Sequence, residues 1–171
     1  LHYWNGSWNP YPSQKPYPTL KEGWKVNVSV VISNTGDQDS DVLFREKIPL
    51  SLRLETVRFQ DPTKVHYNTY TEGGYYIING SISSLASGSS FWINYTVEVV
   101  RKDIIVIPPT EGKVWLGNEL YTFESNSATL SSAIKMFRKQ SPVSHDWPSY
   151  TINVTFVSYT AYSVFNVTIY D

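Results

Sequence analysis

Trp24-Lys25-Val26-Asn27-Val28-Ser29-Val30-Val31-Ile32-Ser33-Asn34-Thr35-Gly36-Asp37 decides the fold class. Trp24, Val26, Val28, Val30 and Ile32 recur at every second position, with Lys25, Asn27, Ser29 and Ser33 on the opposite phase. A period of two is a strand with one buried face, and Asn34-Thr35-Gly36-Asp37 carries the turn chemistry that ends it. Further on, Val42 and Phe44, with Glu46 in phase, give a second strand stopped at Pro49, and Leu52, Leu54, Val57 and Phe59 mark a third over residues 50–59. Gly73-Gly74 opens a strand over residues 75–78, Asn79-Gly80 is the strongest hairpin signal, and Leu85-Ala86-Ser87-Gly88 is a turn before a strand over residues 91–100. Residues 113–123 are less regular. Residues 125–139, with Leu130, Ile134 and Phe137, form the one window that suits a short helix. A linker with Pro142 and Pro148 then leads to two β-rich segments, residues 150–159 and 163–170. Short strands at intervals of about 8 to 12 residues predict an all-β, immunoglobulin-like antiparallel β-sandwich.

Before the sandwich, residues 1–19 interleave Pro10, Pro12, Pro16 and Pro18 with Trp4, Trp8, Tyr11 and Tyr17. Such a segment cannot be helical and is expected as an extended arm, leaving residues 20–171 as the sandwich domain. At 171 residues the chain has room for one core. A composition of 41% hydrophobic, 15% aromatic and 17% charged residues excludes disorder and coiled coil. A formal charge of -1 supplies no field to attract a phosphate backbone, so no nucleic-acid partner is expected. The absence of Cys removes disulfides, thiolate zinc sites and thiol nucleophiles together. The longest apolar run, Ile104-Ile105-Val106-Ile107, falls far short of the roughly 18 to 20 residues of a membrane span. A start at Leu1 rather than Met suggests a removed signal peptide, hence export.

Six Asn-X-Ser/Thr sequons lie at Asn5, Asn27, Asn79, Asn94, Asn153 and Asn166, where random placement of the same residues gives roughly two. In a strand, residues i and i+2 share a face, so Asn94 with Thr96, Asn153 with Thr155 and Asn166 with Thr168 point away from their apolar neighbours, toward solvent. Covalent N-glycans, and no other cofactor, are expected, covering faces that charged side chains would otherwise keep soluble.

Catalytic chemistry lacks its parts. Asp37-Gln38-Asp39-Ser40-Asp41 has the alternating carboxylates of a calcium loop but lacks the Gly at the sixth place and has Ile48 where the bidentate Glu should stand. His145-Asp146 are sequence neighbours in a Pro-rich stretch, and His2 and His66 form no ligand spacing with them. No nucleophile elbow, phosphate loop or zinc-hydrolase motif occurs, and Glu98, Glu111, Glu119 and Glu124 are carboxylates without a placed partner. No metal site and no enzyme activity are expected. Tyr75-Tyr76, Phe91-Trp92 and Trp115 suit strand packing, or stacking on sugars.

From Leu20-Lys21-Glu22-Gly23 through Ile32-Ser33-Asn34-Thr35-Gly36, Val42-Leu43-Phe44-Arg45-Glu46-Lys47-Ile48-Pro49 and residues 82–99, the chain resembles the immunoglobulin-like repeats of archaeal and bacterial surface proteins. The aromatic arm and the β-rich tail depart from an ordinary repeat. With its sequon density, the chain looks more like an archaeal thread-type pilin, a glycosylated subunit whose sandwich is completed by a strand from its neighbour. That resemblance implies an extracellular, cell-surface homopolymer of identical subunits, built head to tail by donor-strand complementation and serving adhesion or biofilm cohesion. Leu1, His2, Tyr3, Trp4 and Trp8 are the candidate donor strand, with Leu1 and Tyr3 facing one way and His2, Trp4 and Trp8 the other. The alternative is a carbohydrate- or partner-binding module of a surface-layer or adhesin protein, with the arm as a linker.

Overall fold

The computed structural model describes residues 1–12, 19–101, 104–116, 118–131, 135–139 and 154–157. Two five-stranded antiparallel sheets enclose the core. The first runs in the order β2 (Trp8–Pro10), β1 (His2–Trp4), β3 (Lys25–Ser33), β8 (Ser90–Val99) and β5 (Leu52–Phe59). The second runs β11 (Glu119–Glu124), β10 (Glu111–Leu116), β4 (Ser40–Pro49), β7 (Tyr75–Leu85) and β6 (Val65–Glu72). Two short ladders accompany them: β9 (Ile104–Ile107) with β12 (Ala128–Ser131), and β13 (Lys135–Lys139) with β14 (Val154–Val157). The chain is an immunoglobulin-like β-sandwich.

The alternation read in the sequence is the alternation of burial. On β3, Val26, Val28 and Ile32 point inward and Lys25, Asn27, Ser29 and Val31 outward. On β8, Phe91, Ile93, Tyr95, Val97 and Val99 are buried between less buried neighbours. β4 inserts Val42, Phe44 and Ile48 from the other sheet, and Phe44 meets Phe59 of β5 with ring centroids 6.2 Å apart. Each fully buried aliphatic side chain contributes about 1.5–3 kcal/mol, which the ladder geometry delivers at every second residue.

Two expectations are corrected. Asn79-Gly80 is not a hairpin turn: β7 runs straight through it, with Asn79 opposite Arg45 on one side and Asn68 on the other. The turn lies one signal earlier, where Gly73 and Gly74 take φ of 56° and 88° and join β6 to β7 in the two-residue loop that suits strand twist. Gly80 has a packing reason instead. A Cβ there would lie 2.6 Å from the His66 carbonyl oxygen and 2.8 Å from the Phe44 ring. The helix expected over residues 125–139 does not form either, since Ala128–Ser131 pair with Ile104–Ile107 and bury Leu130 in the core. Long-range pairing overrides the helical spacing there. β6 carries no apolar period, with only Val65 buried, and is a strand because β7 lies alongside it.

Gly80→Ala should lower stability by about 1–3 kcal/mol through overpacking between β6 and β4, read as a lower midpoint in thermal denaturation.

Candidate functional site, sequon faces and an open strand edge

The arm does not run free. β1 and β2 form a hairpin, and His2, Tyr3 and Trp4 pair with Asn27, Val26 and Lys25 of the chain's own β3. The expected division of its side chains holds: Tyr3 is buried, stacked on Trp24 at 5.9 Å and edge-on to Tyr11 at 6.1 Å. Trp4 and Trp8 lie together on the outer face with centroids 5.5 Å apart. Of the residues named as a donor strand, His2, Tyr3, Trp4 and Trp8 therefore belong to the outer two strands of their own sheet, with β1 lying between β2 and β3. Asn5, the first sequon, occupies the exposed turn of this hairpin, where its side-chain oxygen accepts from Asn9 at 2.9 Å.

The ladder brings two further sequons into mutual register. Asn27 stands opposite Thr96 and Ser29 opposite Asn94, so each acceptor Asn faces the hydroxyl residue of the other sequon across β3 and β8. Both pairs lie on the outer face, since their inward neighbours Val26, Val28, Tyr95 and Val97 are buried. Asn79 and Ser81 lie on the outer face of the opposite sheet, beside Arg45 and Leu43. Asn79 is exposed. Asn153 and Asn166 lie outside the described residues, as do His145-Asp146.

One edge of the first sheet is only partly covered by the described strands. β1 covers β3 only from Lys25 to Asn27, and among the described residues no strand pairs with that edge from Val28 to Ser33. A cleft of about 640 Å³ opens there, between Val28–Val31 on one bank and Ser127–Thr129 on the other. At its floor lies a side chain that the sequence did not single out. Glu46 of β4 points into the core, 3% exposed, and accepts hydrogen bonds from the Tyr95 hydroxyl of β8 at 2.5 Å and from the Thr110 hydroxyl. Its in-phase position on a buried strand face was the available signal. Burial is the largest influence on this carboxyl and holds it above its ordinary pKa, against the two hydrogen bonds, which act to lower it. Burial, followed by the facing Glu46, pushes the Tyr95 phenol well above its usual range.

Five further carboxylates have structural roles. Asp39 and Asp41 accept the backbone N–H groups of Ser87 at 3.0 Å and Ser84 at 2.8 Å, fastening the turn before β8. Glu98 pairs with Arg53 at 2.5 Å, Glu111 pairs with Lys47, and Glu119 accepts from Tyr121 at 2.5 Å. Among the described residues, no three His, Asp or Glu side chains gather as a metal site. No helix there is long and apolar enough to cross a membrane.

These features define an immunoglobulin-like β-sandwich in which no described strand pairs one sheet edge over Val28–Ser33. Neither a family model nor a curated protein matches the sequence. Among solved structures, the fold is similar to the major pilin SpaA of Corynebacterium diphtheriae, at 14% identity and a TM-score of 0.48 over 70% of this chain and 35% of that one. It is also similar to the major pilin subunit BcpA of Bacillus cereus, at 8% identity and 0.46 over 70% and 38%. A collagen-binding domain of a Staphylococcus aureus adhesin matches at 16% identity and 0.40 over 63% and 87%. The chain thus spans little more than a third of the length of either pilin. What is shared is the sandwich.

A raised carboxyl pKa in the folded state means that Glu46 favours folding fully below its unfolded value, and that this contribution is lost as pH rises through the folded value. Glu46→Gln is neutral throughout. Its stability relative to the parent chain should therefore climb as pH is raised past the ordinary carboxyl value of 4.5, as read by urea unfolding at a series of pH values. A difference that does not change with pH would show that burial does not govern this group.

Proposed function

We propose that the chain is a structural subunit of an N-glycosylated extracellular filament of the archaeal thread type, exported with a removed signal peptide and assembled head to tail from identical subunits by a donated strand. Adhesion or biofilm cohesion is its role. The observation that carries this reading is the stretch of β3 from Val28 to Ser33, which no described strand pairs, beside an open cleft. An exposed edge over an incomplete core invites strand addition, and a contact between unlike surfaces of identical molecules propagates without closing. Sequons on both outer faces support the same reading, because sugars there would leave the edges and ends as the surfaces for contact. The second reading, a carbohydrate- or partner-binding module, draws on exposed aromatic residues of β10 and β11, namely Trp115, Tyr121 and Phe123.

Electron cryo-microscopy of native material should show fibres with a strand crossing between subunits and sugar density on Asn27 or Asn94 and on Asn79. Discrete monomers with a closed sandwich would favour the binding module. Glycopeptide mass spectrometry should find modification on at least three of the six sequons, and unmodified peptides throughout would overturn the glycoprotein reading.

A further inference from the structure

The open edge is one continuous seat. Val28, Ser29, Val30 and Val31 all line the 640 Å³ cleft, although alternate residues point to opposite faces of the sheet. Consecutive residues can line one cleft only where it follows the strand's edge. A second cleft of about 470 Å³ takes over at Ile32 and Ser33, with Val114 and Phe123 among its other lining residues. Together the two clefts follow six residues of β3, about 20 Å at 3.3 Å per residue.

The opposite sheet shows what is missing. Phe123 pairs with Gly112, and Gly112 with the buried Phe44, so Phe123 is on the inner face of β11. Tyr121 is there too, in register with Val114 and Val42. Yet Phe123 is 41% and Tyr121 47% exposed. Inward aromatic side chains left in water are the mark of a facing strand that no described element supplies.

Among the strand-patterned segments, those the structure describes already have partners. β1 is committed to Lys25–Asn27 through the buried Tyr3, β9 and β12 pair with each other, and Val154–Val157 pair with Lys135–Lys139. Residues 163–170, Ser-Val-Phe-Asn-Val-Thr-Ile-Tyr, lie outside the described residues and have the required pattern. Phe165, Val167 and Ile169 alternate with Asn166, Thr168 and Tyr170. Seated beside β3 with the apolar set inward, these residues would cover the inner aromatics, and Asn166 and Thr168 would join the outer face that already carries Asn27, Ser29, Asn94 and Thr96. β13 and β14, the described strands that follow β12, bond to each other in a separate ladder.

We infer that residues 163–170 of a second copy fill the edge of β3 from Val28 to Ser33, making the C-terminal segment, rather than the N-terminal arm, the strand that passes between subunits. This rests on the filament reading above and names both halves of its joint. The chain has no Cys, so introduced pairs report without background. Val31, 62% exposed on the outer face, tolerates replacement. Val31→Cys, combined in turn with Asn166→Cys, Thr168→Cys and Tyr170→Cys, should give for at least one pair a ladder of disulfide-linked oligomers on a non-reducing gel of assembled full chain. Removing residues 158–171 should shorten fibres more than tenfold, and a synthetic peptide of residues 161–171 should raise the melting temperature of that truncated chain. Linkage confined to the monomer would overturn the second-copy assignment. Fibres unaffected by the truncation, or lost instead on deleting residues 1–10, would overturn the C-terminal donor and leave the filament reading standing. If no full-length form makes fibres, the filament reading itself fails, and a peptide without effect on melting then removes the groove assignment as well.

Discussion

Hydrogen bonding between Lys25–Ser33 and Ser90–Glu98 sets the frame in which every other element finds its place. These nine-residue partners fix which side chains point inward on both strands at once, since a slip of one residue would turn Val26, Val28, Tyr95 and Val97 to solvent and bring Asn27 and Asn94 into the core. Through β8 the constraint passes to β5, whose Leu52 and Phe59 meet Val99 and Ile93. Through β3 it passes to the arm, whose Tyr3 is buried against Trp24. The outward sequons are a consequence of the same register.

Between the sheets, the polar bridge from Tyr95 through Glu46 to Thr110 departs from an otherwise apolar core. Burying a carboxyl costs free energy unless hydrogen bonds compensate it, and here two hydroxyls reach it, one from the first sheet and one from the segment just before β10. Bonds of fixed geometry specify how the sheets align in a way that aliphatic contacts, which are non-directional, do not. The bridge also lines the cleft, so the interior's one buried carboxyl among the described residues lies beside the incomplete edge.

The sequence yielded those elements whose stability is local and alternating. β3, β4, β5 and β8 were legible because each buries one face, and so was the sidedness of Tyr3 against Trp4. β6 was not, since His66, Tyr67, Asn68 and Thr69 carry no period and depend on β7 for their pairing. Asn79-Gly80 misled because a small residue demanded by the Phe44 ring and the His66 carbonyl looks, in sequence, the same as one demanded by a turn. Leu130 misled because its partner Ile105 lies 25 positions away. The site was legible in part: Asn27 and Asn94 announced themselves as sequons, but their mutual register, the bare stretch of β3 and the inward aim of Glu46 exist only once the sheets are assembled.

The edge of β3 that no described strand pairs has a mechanical side. A segment lying beside Val28–Ser33 and pulled along its own length would load its backbone hydrogen bonds in shear, all together, whereas peeling from one end would break them singly. The hairpin of Tyr3 and Trp4 closes one end of that row, at Lys25–Asn27, and so obstructs peeling from that side. Tension applied along the strand would meet the resistance of the whole row rather than of its weakest bond.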